Sequence, residues 1–174
     1  MIDFVRQPTA ERIGAALAAT ISNSLFFDVE ADSKCIRSSK EEALRIVFCE
    51  TLRLMCASPK PEVKIDTELY LPDEAGHGHI LLSCDNDQTG LLVEFKRHRY
   101  QVAGEKLYSS KGFNTTLDAT IAQAKRHDTT LQSRFAKFNS YVVIIVGNRI
   151  VVVNANNAKE RFEVAFGVTN VNTR

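Results

Sequence analysis

A chain of 174 residues, 44% hydrophobic and 25% charged, is long enough for one domain with a substantial core. The net charge of +1 leaves a nucleic-acid partner open, because a basic patch can occur on a neutral protein. The four scattered cysteines include no Cys-x-x-Cys pair, which argues against a zinc site and favours a reducing intracellular location, cytoplasmic or nuclear. We find no apolar run of about 18 residues for a membrane span and no secretory signal at the N-terminus.

The first part of the chain is predicted to be helical. Thr9 can cap a short helix that ends near residues 22–24, with an apolar stripe formed by Ile13, Leu17 and Ile21. A stronger helix is predicted from about 40 to 57, with a capping box that starts at Ser39. Residues 1–38 are therefore expected to form a helical extension that precedes this stronger helix.

Three strands are predicted next. Residues 63–71 alternate apolar and polar side chains, as a half-buried strand does. A turn-rich link over 72–78 leads to a short strand over 80–84. A hairpin-like loop over 85–90 precedes a third strand over 91–97. Consecutive strands joined by short links favour an antiparallel meander.

The last part of the chain is predicted to contain a long helix and further strands. The helix begins at Thr115 or Thr116 and continues through Phe135 and Phe138, with an interruption at 127–130 that predicts two helical pieces. The run 141–146 is apolar on both faces and predicts a central strand, and shorter strands follow at 150–153 and 162–166. This order predicts an α/β fold over residues 1–174, with a mixed central sheet flanked by helices.

The third strand ends in a cluster of charge. Alternation places Glu94 and Lys96 on one face of the strand, and burying an acid and an amine is costly unless they have a task or partners. Alternatively, the strand leaves the core at Glu94 and the charges are solvated. On the helix predicted over 40–57, Glu50 falls among apolar positions, where it is either a surface carboxylate or a carboxylate directed into a site.

Three short motifs accompany this order of elements: Pro72-Asp73, Glu94-Phe95-Lys96 and Gln123-Ala124-Lys125-Arg126-His127. Gln123 and His127 are four residues apart and share a face of the long helix that is predicted to begin at Thr115 or Thr116. In these motifs and in strand order, residues 40–154 resemble the PD-(D/E)xK nuclease superfamily. The resemblance implies a restriction-endonuclease-like core of helix, three strands, helix and strand. It also implies an endonuclease or exonuclease that hydrolyses phosphodiester bonds in DNA or RNA with Mg²⁺ or Mn²⁺.

The resemblance also implies roles for individual residues. Asp73, Glu94 and Lys96 would be catalytic. The metal ligands would be Asp73, Glu94, the backbone carbonyl of Phe95 and an additional acid at Glu50, because hard cations prefer oxygen ligands. Lys96 would orient the water whose pKa the metal lowers.

The first acid departs from the family pattern. The residue opposite Glu94 is expected near 79–82, which puts His79 where the family has its aspartate. Either the turn folds back so that Asp73 reaches the metal, or His79 replaces it as a nitrogen ligand that suits Mn²⁺ better than Mg²⁺. The third alternative is an inactive site.

Basic residues around these motifs predict a surface for the phosphate backbone of a nucleic acid. The predicted contacts are Arg97, Arg99, Gln123, Lys125, Arg126 and His127. Solvated surface charge is the alternative interpretation. Many nucleases of this kind act as dimers, so a homodimer is a further possibility, whereas a membrane partner is not expected. The competing hypotheses are a catalytically inactive module that binds nucleic acid or protein, and a structural domain in which Glu94 and Lys96 form a local ion pair.

Overall fold

The computed structural model describes residues 2–23, 46, 48–49, 63–71, 76–98, 110–146 and 149–165. Within these residues the helices are α1 (Ile2–Arg6), α2 (Ala10–Asn23) and α3 (Ser110–Leu131). The strands are β1 (Lys64–Leu71), β2 (Gly76–Cys84), β3 (Thr89–His98), β4 (Lys137–Val146), β5 (Arg149–Asn154) and β6 (Arg161–Ala165).

The described strands form one six-stranded mixed sheet in which the spatial order is the order along the chain. β1, β2 and β3 are an antiparallel meander, and so are β4, β5 and β6. β3 and β4 run parallel, and the connection between them contains α3. The predicted α/β class with a mixed sheet is therefore confirmed.

The sheet has an apolar layer on each face. One face carries Val93, Phe95 and Val143 and packs against α1 and α2. The opposite face carries Val142 and Ile144 and packs against α3. From Ser140 to Val146 every residue of β4 is buried, as predicted for a central strand covered on both sides.

The predicted first helix is confirmed as α2. Thr9 Oγ1 accepts a hydrogen bond from the backbone amide of Arg12 at 3.1 Å, which satisfies one of the free amides of the first turn. The predicted apolar stripe is completely buried, with exposed fractions of 0%, 0% and 1% for Ile13, Leu17 and Ile21. The stripe therefore anchors the N-terminal part of the chain on the sheet.

Glu160 connects α2 to the sheet, which the sequence did not predict. Its Oε1 accepts hydrogen bonds from the Ala10 amide at 3.0 Å and the Tyr141 hydroxyl at 2.7 Å, and Oε2 accepts one from Asn154 Nδ2 at 2.9 Å. Burial disfavours the carboxylate, yet these bonds outweigh burial and lower the pKa of Glu160. Burial, followed by the bond to Glu160, raises the pKa of Tyr141 above its ordinary value.

α3 differs from its predicted form. It begins at Ser110 rather than Thr115, and it continues without the predicted interruption at 127–130 to Leu131. The hydroxyls of Thr129 and Thr130 donate to carbonyls four residues earlier, at 3.0 and 3.2 Å, so both residues remain within the helix. Phe135 follows a short 3-10 turn and Phe138 belongs to β4, so neither extends the helix as predicted.

β2 and β3 are both longer than predicted. Residues 76–78, predicted as part of a link, are the first residues of β2 and pair with β1. The loop from β2 to β3 is a 3-10 turn followed by Gln88 in a left-handed conformation at φ 51°. Gly90 then lets two stacked rings pack on β3, because a Cβ there would lie 2.7 Å from Phe138 and 2.8 Å from Phe135.

The helix predicted over 40–57 lies largely outside the described residues. Ile46, Phe48 and Cys49 have helical backbone, and the last two are buried in the same layer as α1 and α2. The Phe48 ring lies 5.5 Å from that of Phe95, centroid to centroid. This part of the chain therefore covers β3 on the face opposite α3.

Candidate active site between β3 and α3

β2 and β3 part at Glu94. Their register runs from Cys84 opposite Thr89 to Ile80 opposite Val93. Beyond this point β2 stays in register with β1 as far as Gly76, whereas β3 stays in register with β4 as far as His98. Among the described residues, 76–79 and 94–98 therefore belong to diverging strands, and we call the opening between them the fork.

The β3 side of the fork presents charged and polar side chains towards α3. Alternation along the strand places Glu94, Lys96 and His98 on this face. Glu94 is completely buried, Lys96 is exposed and His98 is intermediate. On this face of β3, therefore, a buried acid is followed by an exposed lysine and a half-buried histidine.

Glu94 is bonded to a side chain of α3. Its Oε1 contacts Nδ1 of His127, and both side chains have an exposed fraction of 0%. Because a carboxylate can only accept, the protonated Nδ1 is the donor. A buried carboxylate is costly without hydrogen bonds, so His127 stabilises Glu94 in this position. The structure thus brings together two residues that lie 33 positions apart in the sequence.

His127 does not lie where the sequence predicted it. The sequence predicts His127 on the surface that contacts phosphate, whereas its side chain is completely buried and cannot contact a bound nucleic acid. The helical repeat explains this position, since Ala124 and Leu131 lie three and four residues away on the same face and are also completely buried. Gln123, four residues before His127, is partly exposed.

A second histidine completes the contact between β3 and α3. His98 Nδ1 lies 3.0 Å from Oγ1 of Thr116, whose hydroxyl donates to the carbonyl of Gly112 at 3.0 Å. That hydroxyl hydrogen is therefore engaged, and Nδ1 of His98 must carry the hydrogen of the histidine–threonine bond. The Phe113 ring packs edge-on against the His98 ring, with centroids 6.1 Å apart. The alternation of β3 was the available sequence signal for His98, which shares a face with Glu94.

The other predicted site residues are distributed as follows. Phe95 points to the opposite face, where its ring is buried, so only its backbone carbonyl could serve as a ligand. Lys125 and Arg126 are exposed on α3. His79 lies in β2 next to Ile80, and Arg97 lies in β3. Asp73, Glu50 and Arg99 lie outside the described residues.

The described residues do not by themselves form a metal site. No group of three or more His, Cys, Asp or Glu side chains that could hold a metal occurs among them. The Glu94 carboxylate and the Phe95 carbonyl are oxygen donors of the kind that Mg²⁺ and Mn²⁺ prefer. A complete site would therefore require an acid from the part of the chain that is not described, where Asp73 and Glu50 occur.

Neither the described helices nor comparisons with known proteins supply an assignment. None of the described helices is both long enough and apolar enough to cross a membrane. No protein-family model, curated protein or solved structure gives a significant match to the chain. A functional assignment must therefore come from the residues themselves.

Proposed function

We propose that this chain is a metal-dependent nuclease that hydrolyses phosphodiester bonds in DNA or RNA, with its reaction centre at the fork. The proposal rests on one observation: β3 leaves β2 at Glu94, so the Glu-x-Lys motif lies where the sheet opens. The acid is held in the interior and the lysine reaches solvent on the same face. The motif thus combines a fixed acid with a lysine that an external polymer could reach.

The arrangement of strands supports a restriction-endonuclease-like core as part of this proposal. β1, β2 and β3 form a meander, α3 follows, and β4 returns parallel to β3. This is the order of elements that the resemblance implies. An intracellular location and a homodimer also belong to the proposal.

The residues around the fork have complementary proposed roles. Glu94, the carbonyl of Phe95 and an acid at Asp73 or Glu50 would hold Mg²⁺ or Mn²⁺, with His79 as an alternative ligand. Such a metal would lower the pKa of bound water and offset negative charge on the phosphate. Lys96 is an exposed residue, and its ammonium would donate a hydrogen bond that orients the attacking water or a phosphate oxygen.

Nucleic acid would be held mainly through its phosphates. Lys125 and Arg126 are exposed on α3, the helix that also supplies His127. Arg97, which lies in β3, and Arg99 would add to the proposed contacts. Contacts to phosphate fix the position of a nucleic acid without reading its bases, so we expect weak sequence preference.

A second candidate is an inactive nuclease fold that binds nucleic acid. It is favoured by the complete burial of Glu94 and by the bond between its Oε1 and His127, which would make the acid structural. In this case the basic surface of α3 would still bind phosphates, but metal would not be required.

Cleavage assays on single- and double-stranded DNA and RNA, with Mg²⁺ and Mn²⁺, distinguish the two candidates. We expect the wild type to cut at least one substrate and Lys96→Ala to lose about 100-fold or more of the rate. Lys137→Ala is the matched control, because Lys137 is an exposed lysine at the far end of the sheet, in the first position of β4.

Calorimetry with Mn²⁺ provides the complementary measurement. Glu94→Gln retains an oxygen that can accept from His127 but loses the charge, so it should fold and bind Mn²⁺ much more weakly than the wild type. If the folded wild type neither cuts nor binds metal, yet binds nucleic acid through Lys125 and Arg126, the inactive module is the correct function.

A further inference from the structure

We propose that His127 is a positioning residue that holds the Glu94 carboxylate in one orientation through its Nδ1 atom. This inference rests on the proposed nuclease function and assigns His127 a role different from the phosphate contact predicted from the sequence. His127 would act on the reaction through Glu94, because its ring is completely buried and its Nδ1 contacts the Glu94 carboxylate.

The contact is built to fix a flexible side chain. Glutamate has three rotatable side-chain bonds, and burial alone does not select the direction of its two oxygens. The hydrogen bond from His127 Nδ1 to Oε1 does select it. Both partners lie inside regular elements, Glu94 in β3 and His127 in the unbroken helix α3. Sites supported by such elements are held more accurately than sites supported by loops.

The surroundings of the imidazole also favour a fixed position. The His127 side chain has an exposed fraction of 0%, and Ala124 and Leu131, on the same face of α3, are equally buried. The ring therefore lies in the interior between α3 and β3, with its Nδ1 at Glu94. Hydrogen-bond partners that orient a metal ligand commonly contribute about 10- to 100-fold to metal affinity or activity. An effect of this size is expected for His127.

The identity of the contacting nitrogen gives a sharp test. Nδ1 of histidine is bonded directly to Cγ, as Nδ2 of asparagine is. Glutamine instead places its amide nitrogen one bond farther out, in the position that corresponds to Nε2. Since the contact to Glu94 is made by Nδ1, His127→Asn keeps a donor at the required position and His127→Gln does not.

The experiment compares the full-length wild type, His127→Asn, His127→Gln and Glu94→Gln. Mn²⁺ affinity is measured by calorimetry, the cleavage rate is measured on the best wild-type substrate, and thermal unfolding verifies folding. Thr120→Val is the matched control, because Thr120 lies seven residues before His127, is buried and donates only within the helix, to the Thr116 carbonyl. It should leave Mn²⁺ affinity within about 3-fold of the wild type, well below the range expected for an orienting partner.

We expect His127→Asn to retain Mn²⁺ affinity and cleavage to within about 3-fold, and His127→Gln to lose about 10- to 100-fold of both. Equal Mn²⁺ affinities and equal cleavage rates for His127→Asn and His127→Gln would overturn the role of Nδ1 while leaving the nuclease function intact. If His127→Gln does not fold, His127→Asn alone tests the inference. A folded His127→Asn protein whose Mn²⁺ affinity is as low as that of Glu94→Gln would overturn it. A folded wild type with neither Mn²⁺ binding nor cleavage would refute the nuclease function itself, and the inference with it.

Discussion

The buried pair of Glu94 and His127 makes a quantitative prediction about folding stability. We consider the single variants Glu94→Leu and His127→Leu and the double variant. His127→Leu removes the hydrogen bond from Nδ1 and leaves an acid in the interior, and Glu94→Leu removes the acceptor from a buried imidazole. The double variant replaces both polar groups by apolar side chains of comparable size.

The expected magnitudes follow from the complete burial of both side chains. Breaking a buried pair from one side commonly costs about 3–5 kcal/mol, which we expect for His127→Leu. A buried donor that loses its acceptor costs about 1–3 kcal/mol, which we expect for Glu94→Leu. The double variant should lie within about 1.5 kcal/mol of the wild type, because apolar replacement of a whole pair is often close to neutral. The coupling free energy should therefore exceed about 2 kcal/mol.

Equilibrium unfolding in urea measures these differences. With a slope of about 2 kcal/mol per M, the His127→Leu midpoint should fall by roughly 1.5–2.5 M. A control cycle combines Glu94→Leu with Ile13→Val. Ile13 lies in α2 on the opposite face of the sheet, so the changes in unfolding free energy caused by these two substitutions should add to within about 0.5 kcal/mol. Additive effects of the Glu94 and His127 substitutions, or losses below about 1 kcal/mol for both single variants, would show that the contact does not stabilise the fold as argued.

Three further predictions concern packing and pH. Gly90→Ala should lower the free energy of unfolding in urea by about 1–3 kcal/mol, because the added Cβ would lie within 2.9 Å of the Phe138 and Phe135 rings; an unchanged midpoint would contradict this packing. Because the pKa of Glu160 is lowered in the folded protein, its stabilising effect is present above the ordinary value of 4.5 and is lost as the pH falls through the lowered value. Between pH 7 and pH 3, the unfolding free energy of Glu160→Gln should therefore fall less than that of the wild type. Parallel plots of unfolding free energy against pH for the two proteins would contradict this. The pKa of Tyr141 is raised above 10.0 in the folded protein. The stability that this hydroxyl contributes is therefore fully present below pH 10 and is lost as the pH rises through the raised pKa. Tyr141→Phe should cost about 1–3 kcal/mol at pH 7, and its difference from the wild type should narrow in urea titrations above pH 10.

The parts of the fold that could be predicted are those specified by local patterns. The stripe of α2 repeats with the helical period, and β4 is apolar on both faces, so each pattern indicates one structure. The extent of α3 could not be predicted, because its glycine and threonines favour other conformations when considered alone. The threonines are accommodated by hydrogen bonds to the carbonyl of the preceding turn. Local propensity therefore gave the wrong start and a false interruption.

In the candidate site, too, the features set by local patterns could be predicted and those that depend on tertiary packing could not. That Glu94 and Lys96 share a face follows from the two-residue period of a strand. The contact with His127 depends on how α3 aligns against β3, and no pattern within either segment contains that alignment. Glu160 was missed for a related reason. It lies in a polar turn beyond β5, and its role arises only where β4 and α2 meet it.

The order of the strands has a consequence for how the chain folds. Residues paired between β2 and β3 are 5 to 13 positions apart, as Cys84 opposite Thr89 and Ile80 opposite Val93 illustrate. Every β3–β4 pair, such as Thr89 and Lys137, is 48 positions apart. Closing the longer loop costs about 1.5 kcal/mol more, so the hairpins are expected to form first and the two three-stranded halves to join in a later, slower encounter. Val143→Ala should therefore slow refolding in stopped-flow measurements, and a change confined to the unfolding rate would place this encounter after the transition state.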